Sequence, residues 1–203
     1  MISDVTGVLL AGGKSKRMGE DKRFLLIGGS TLIERSVGVM CALFQQVCVV
    51  IAQDGPVPSV RVPVVRDLVP NCGSLGGLYT GLRQSTDQHI FVAACDMPFL
   101  CSSLVQYMVA LKEEADVVMA LWKDRLQPTH AVYSRRCLPI LEDMIRRHEV
   151  KIQHVAAHPA LRVRMVMEAE VSRIDHDGRS FRNINTPSDL EAARSLYESS
   201  SGS

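Results

Sequence analysis

Five short apolar, β-branched runs recur along the chain, at Val5–Leu10, Val47–Ala52, Val62–Val65, Ile90–Ala94 and Val117–Leu121, and most are separated by segments of helical periodicity. Runs of this length without polar alternation suit strands buried on both faces. Thr31-Leu-Ile-Glu34 forms a capping-box pattern that opens a helix running to about Gln46, with Leu32, Val39 and Leu43 facing the core. Further helices are predicted over Leu75–Gln84, Ser102–Glu114 and Arg135–Arg147. Thr186-Pro187-Ser188-Asp189 supplies an N-cap, a proline at N1 and an acid at N3 for a last helix through about Tyr197. Strands alternating with helices predict an α/β fold: a single-domain, Rossmann-like open sheet, mostly parallel, with right-handed crossovers and helices on both faces.

No internal repeat or linker divides the 203 residues, so one domain is expected over residues 3–198, with a frayed tail over 199–203. The stretch Lys151–Arg182 carries a weaker alternation, around Val163, Met165 and Val166, that predicts an extra pair of strands. A chain of this size buries roughly 70% of its unfolded surface. With only 5% aromatic residues, its core must be aliphatic.

Formal charge is +1 with acids and bases interspersed, so no broad cationic surface exists for a nucleic acid or an anionic membrane. No apolar run reaches the length of a membrane span, and the N-terminus lacks the pattern of a signal peptide. The six cysteines form no C-x-x-C pair and several lie inside apolar runs, which suits buried free thiols and a reducing, cytoplasmic compartment. The histidines show no H-E-x-x-H spacing, and no serine sits in a G-x-S-x-G elbow, so neither a zinc site nor a serine hydrolase is expected.

The first strand runs into Leu10-Ala11-Gly12-Gly13-Lys14-Ser15-Lys16-Arg17-Met18-Gly19-Glu20-Asp21-Lys22. In an open α/β sheet ligands bind at the carboxyl ends of strands. Gly12 and Gly13 let the backbone approach a phosphate, while Arg17 and Lys22 can neutralise a triphosphate. The bland alternative is a surface turn with solvated lysines. Two familiar phosphate loops are excluded: the first glycine of a P-loop would fall on Val8, and Gly12 and Gly13 are adjacent where a dinucleotide fingerprint needs them spaced.

Later segments offer carboxylates and amides. Ile90–Ala94 leads into Cys95-Asp96, placing a carboxylate just past a buried strand, where it can ligate Mg²⁺ or serve as a turn acid before Pro98. Asp67 precedes a loop with Gly73, Gly76 and Gly77. It could hold a nucleotide or assist a metal, or pair with Arg66; the glycines could admit a base or simply form turns. Arg125, Gln127 and Pro128 read as a rigid turn that could face an acceptor. Asn183 and Asn185 precede the last helix, where amides can satisfy backbone near the cap.

The loop pattern L-A-G-G-x-S-x-R-M-G-x-D-K resembles the signature of the molybdenum cofactor guanylyltransferases, a MobA-like nucleotidyltransferase family. Asp67 with Gly73–Leu78, Cys95-Asp96-Met97-Pro98-Phe99, Arg125-Leu126-Gln127-Pro128 and Asn183–Pro187 with Asp189 follow in matching order. The resemblance implies a nucleotide-diphospho-sugar transferase-like fold and transfer of GMP from GTP to Mo-molybdopterin with Mg²⁺ as cofactor. It further implies nucleotide contacts from Leu10, Ala11, Gly12, Gly13, Lys22, Asp67 and Asp96, metal binding and catalysis at Asp96, catalytic roles for Lys22 and Arg17, and acceptor contacts from Gln127, Asn183 and Asn185. Transient contact with cofactor-insertion proteins or target molybdoenzymes would go with that activity. The family commonly carries an Asn at the end of the second strand; here the chain reads Val50-Ile51-Ala52-Gln53-Asp54, and Gln53 is either a substitute or an exposed loop residue. A cytidylyltransferase for the same cofactor, a sugar-phosphate nucleotidyltransferase and a non-catalytic nucleotide or cofactor carrier are the competing readings.

Overall fold

The computed structural model describes residues 1–12 and 21–201. In chain order its elements are β1 (Val5–Leu10), β2 (Leu26–Ile27), β3 (Ser30–Thr31), α1 (Leu32–Leu43), β4 (Val47–Ile51), β5 (Val64–Arg66), α2 (Gly73–Gln84), β6 (His89–Ala94), α3 (Ser102–Ala110), β7 (Val117–Trp122), β8 (Arg125–Ser134), α4 (Leu138–Arg146), β9 (Val163–Val166), α5 (Glu168–Ser172) and α6 (Pro187–Ser201), with short 3-10 turns between some of them. A seven-stranded sheet runs in the order β5-β4-β1-β6-β8-β7-β9. Only β8 opposes the others in it, pairing antiparallel with both β6 and β7. The α/β, mostly parallel, single-domain architecture expected from the sequence is what forms.

Alternation along β1 sorts the core into two layers. Val5 and Leu9 join α1 and α3 on one face, through Ile33, Val37, Met40, Leu104 and Met108. Val8 and Leu10 join α2 and α4 on the other, through Leu75, Leu78, Leu82, Leu141 and Met144. Helix α2 comes close to β1 because Gly81 faces it: a Cβ there would stand 2.7 Å from Val8 Cγ1. A third, smaller cluster of Ile27, Leu32, Ile184, Leu190 and Ala193 fastens α6 to the β2–β3 hairpin. Each layer buries whole aliphatic side chains, about 1.5–3 kcal/mol apiece relative to exposure.

The capping box forms as read: Thr31 Oγ1 accepts from Glu34 N at 3.3 Å, and the Glu34 carboxylate accepts from Thr31 N at 2.8 Å. Several ends differ from expectation. Helix α1 stops at Leu43, where Phe44 turns extended and buries itself beneath β1. Helix α3 ends at Ala110, as i→i−3 bonds from Leu111 and Lys112 tighten its last turn. Helix α4 begins only at Leu138, after a 3-10 turn at Arg135–Cys137. The last helix continues past Tyr197 to Ser201, into the segment expected to fray.

Two larger differences concern the second half of the chain. Lys151–Arg182 does not make a pair of strands. It contributes the single edge strand β9, parallel to β7, flanked by a 3-10 turn and α5. The buried Asp116 fixes that register: its N–H donates to Arg162 O at 2.8 Å while its carboxylate accepts from Arg162 N at 2.9 Å. And Arg125, Gln127 and Pro128 lie within β8, not in a turn. The register slips between Met119/Ala120, so Met119 faces Ala131 while Ala120 faces Gln127. This bulge accommodates Pro128, which has no N–H to give the ladder.

Candidate active site

The strand order reverses at β1. Helix α1 carries the chain from β1 to β4 on one side, and α2, on the opposite face, carries it from β5 to β6 on the other. A crevice opens at such a switch point, beyond the strand carboxyl ends. The ladder is prolonged there by Ala11 N–H to Val50 O at 2.8 Å and Cys95 N–H to Leu10 O at 3.0 Å. The strand ends at Gly12, Asp67 and Asp96 thus surround one cavity of about 300 Å³. Gly12 lies so close to the next strand that a Cβ would stand 3.2 Å from Ala52 N.

Lys22 enters the cavity from a 3-10 turn whose N-cap is Asp21. Its ammonium donates to Asn185 Oδ1 at 2.7 Å, across 163 positions of sequence. Asn185 is held in turn by Asp189, whose carboxylate accepts from Asn185 N at 2.9 Å and Thr186 N at 2.8 Å. Those two N–H groups also hold the Asp189 carboxyl below its ordinary range. Beside Lys22, the buried Arg23 grips Asp21 through Nε, at 2.9 and 3.0 Å from its two oxygens. That pairing lowers the Asp21 carboxyl, so the anion persists without facing Lys22 unneutralised.

Asp96 lies opposite, half-buried, with its backbone carbonyl accepting from Ile184 N at 2.9 Å. Burial pushes its carboxyl above the ordinary value, and the Lys22 ammonium pulls it back only in part. An anion left partly uncompensated in this way favours the arrival of a cation. Among the described residues no group of three or more His, Cys, Asp or Glu side chains gathers. A carboxylate placed so can ligate a hard divalent cation whose remaining oxygens come from water or a bound ligand.

Asp67 follows β5. Its Oδ1 accepts from Val69 N and from Thr80 Oγ1, both at 3.0 Å, and Thr80 Oγ1 accepts from Leu68 N at 2.9 Å. The pairing with Arg66 left open by the sequence is not what forms, since Arg66 points instead at backbone carbonyls of the turn after β4. Gly76 serves packing: a Cβ there would stand 2.8 Å from Asp67 Oδ2. Gly73, at φ +55°, opens α2 and lines the cavity. A second cavity of about 520 Å³ adjoins the first, sharing Gly12, Asp67 and Gly73 and extending to Gln53, Asp54 and Asn71.

The structure therefore brings Leu10, Ala11, Gly12, Lys22, Asp67, Asp96 and Asn183 to one cavity, with Asn185 joined through Lys22. Gly13 and Arg17 lie outside the described residues. Gln127 sits apart, its amide donating to Arg125 O at 3.2 Å, and β8 reaches the cavity through Thr129. Sequence reasoning missed Thr129, Ser74 and the Asp21–Arg23 pair. Only the last left a signal, an acid and a base flanking Lys22.

His130, next to Thr129, is fully buried between Phe91 and Phe181, each ring centroid 5.1 Å away and nearly perpendicular. Burial lowers its pKa to about 4, so it stays neutral. Through Phe181 it seats the segment that carries Asn183 and Asn185 against the sheet.

Comparison with known proteins sets this geometry in a family. The model of the MobA-like NTP transferase domain matches residues 7–163. A protein of Pelotomaculum thermopropionicum named "Probable molybdenum cofactor guanylyltransferase" is 36% identical over 195 residues, covering 96% of this chain and 94% of that one. The molybdenum cofactor guanylyltransferase of Desulfosudis oleivorans is 33% identical over 196 residues, covering 96% of each. The crystal structure of molybdopterin-guanine dinucleotide biosynthesis protein A from Archaeoglobus fulgidus superimposes with a TM-score of 0.83 at 25% identity, over 96% of this chain and 100% of that one.

Proposed function

The chain belongs to the MobA-like NTP transferase family, and from that premise we propose that it is a molybdenum cofactor guanylyltransferase. It transfers GMP from GTP to Mo-molybdopterin and releases pyrophosphate. The observation that carries this reading is the convergence of the Leu10–Gly12 strand end, the Lys22 ammonium and the Asp96 carboxylate on one cavity at the switch point.

In this reading the phosphates lie over Gly12 and Lys22, and the nucleoside passes Asp67 and Gly73 into the second cavity, towards Gln53 and Asp54. A phosphate oxygen of the acceptor attacks the α-phosphorus of GTP, and the bond to the bridging oxygen of pyrophosphate breaks. The nucleophile is already an anion, so no general base is required. Rate comes from alignment and from countering charge. Lys22 does the latter on the described side of the loop, with Arg17 its expected partner. Asp96 would hold Mg²⁺, which supplies neutralisation of phosphate charge when bound. Asn183, and Asn185 through its bond to Lys22, form the wall that the acceptor meets.

The test is pyrophosphate release by the purified protein with Mg²⁺ and Mo-molybdopterin, offered GTP, CTP or ATP in turn. Release with GTP alone supports guanylyl transfer. Release with CTP alone keeps the mechanism and moves the activity to a cytidylyltransferase. Silence with all three, despite measurable nucleotide binding, overturns guanylyl transfer to molybdopterin in favour of a carrier or a different acceptor.

A further inference from the structure

The turn 52–55 follows β4 and lines the larger cavity through Ala52, Gln53 and Asp54. It closes on itself through one bond, Gly55 N–H to Ala52 O at 3.0 Å. Two arginines from other parts of the chain take carbonyls of this turn and of Pro56 just after it. Arg66, the last residue of β5, brings Nη1 to 2.6 Å from Gln53 O and 3.1 Å from Gly55 O, with Ala52 O at 3.5 Å. That nitrogen has two protons, so the first two contacts are hydrogen bonds and the third a longer electrostatic one. Arg23 brings its own Nη1 to 3.2 Å from Pro56 O while the rest of its guanidinium stays on Asp21.

A guanidinium set among backbone carbonyls fixes a turn much as a capping group fixes a helix end, because a charged donor strengthens each bond and a rigid fork fixes their directions. The acid next in sequence does not compete for Arg66, since Asp67 is occupied by Val69 N and Thr80 Oγ1. Arg23 is adjacent to Lys22, so its bond to Pro56 connects the segment bearing the phosphate-binding ammonium with the far end of the turn.

We propose that Arg66 and Arg23 are positioning residues for nucleobase selection: together they hold the 52–56 backbone so that Gln53 and Asp54 meet the base preformed. This rests on the reading above in which the nucleotide spans the two joined cavities. A preformed turn does not have to be ordered when the base arrives, so its loss costs affinity for the nucleoside part and leaves the phosphate part alone.

The test is titration calorimetry on the full chain with Mg²⁺, using GTP, CTP, ATP and inorganic tripolyphosphate as probes. Arg66 is exposed, so Arg66→Ala removes the clamp without opening the core. Arg66→Ala is expected to weaken the preferred nucleotide about tenfold and to shrink its advantage over the other two by a similar factor, with tripolyphosphate within about twofold of wild type. Arg66→Lys, which keeps the charge and loses the fork, should recover part of both. Unchanged affinity and selectivity in Arg66→Ala overturns the proposal, as does an equal loss for tripolyphosphate, which marks a merely structural residue. A wild-type preference for CTP or ATP counts against the guanine reading alone, because the clamp is read on whichever nucleotide is preferred.

Discussion

Residues up to Asp96 supply one side of the cavity, mostly from the carboxyl ends of four parallel strands, whereas residues after it supply the facing wall from an antiparallel strand and the approach to α6. On the first side the residues at strand ends are fixed by the ladder beneath them, as when Cys95 N–H bonds Leu10 O or Asp67 N–H bonds Ile51 O, and Lys22 joins them from its 3-10 turn. On the second side the residues are fixed by contacts between distant segments: Ile184 N to Asp96 O, Lys22 Nζ to Asn185 Oδ1, and His130 between Phe91 and Phe181. One fold thus carries a side built mostly on strand ends and a side assembled from distant segments, and substitutions should act differently on the two.

The largest effects are expected on the side formed by the strand ends together with Lys22. Lys22→Ala should lower turnover by about 10³-fold, the scale of removing one donor aimed at developing charge, while the melting temperature moves little. Asp96→Asn should lower metal-dependent turnover comparably. Because the Asp96 carboxyl is raised, turnover should fall as pH drops through that raised value, above the ordinary value of an Asp. The stability effect has the opposite sign. The folded state binds this proton more tightly than the unfolded state, so ionising Asp96 destabilises the fold as pH rises from its ordinary value through the raised one. Asp96→Asn should accordingly be at least as resistant to urea at pH 7 as wild type. A strong loss of stability in either variant would erase the distinction between the two sides.

On the assembled side the larger effect is one of pH. His130 is buried neutral and its pKa falls from 6.5 to about 4. The unfolded chain takes up a proton as pH falls below 6.5, while the folded chain resists until about 4, so stability is lost across that window. At one pKa unit per 1.36 kcal/mol the loss is at most about 3 kcal/mol. Urea midpoints between pH 7 and 4.5 should show it, and His130→Leu should flatten the slope. An unchanged slope would remove His130 from the account of how this wall is seated.

The smallest effect is expected at Asp189. Asp189→Ala releases the N–H groups of Asn185 and Thr186, costing about 1 kcal/mol as the loss of a helix-end acceptor. It should raise the KM for the acceptor several-fold and leave that for GTP near wild type. An equal rise for both substrates would show that the two subsites are not separable.

The same division governs what the sequence discloses. β1, β4, β6 and β7 are legible because they are uninterrupted apolar runs, and Asp96 and Lys22 because chemistry-bearing residues stand where such runs end. β8 is not legible: it opens with polar residues, contains Pro128, and owes its path to pairing with β6 and β7. β9 is equally dependent, taking its register from Asp116 and the open edge of β7. The amides near α6 could be named as candidates from their place before a cap. Their meeting with Lys22 could not, because it joins segments 163 positions apart. Arg66 shows the limit of local reading, since adjacency suggested Asp67 as partner and the turn after β4 takes the guanidinium instead.

Guanylyl transfer is tested most directly by following label from α-phosphorus-labelled GTP into the molybdopterin dinucleotide in a single turnover, comparing wild type with folded Lys22→Ala. Wild type should move labelled GMP onto Mo-molybdopterin, and Lys22→Ala should do so about 10³-fold more slowly. Transfer at the wild-type rate by Lys22→Ala, or no label on the acceptor with wild type, would contradict this reading.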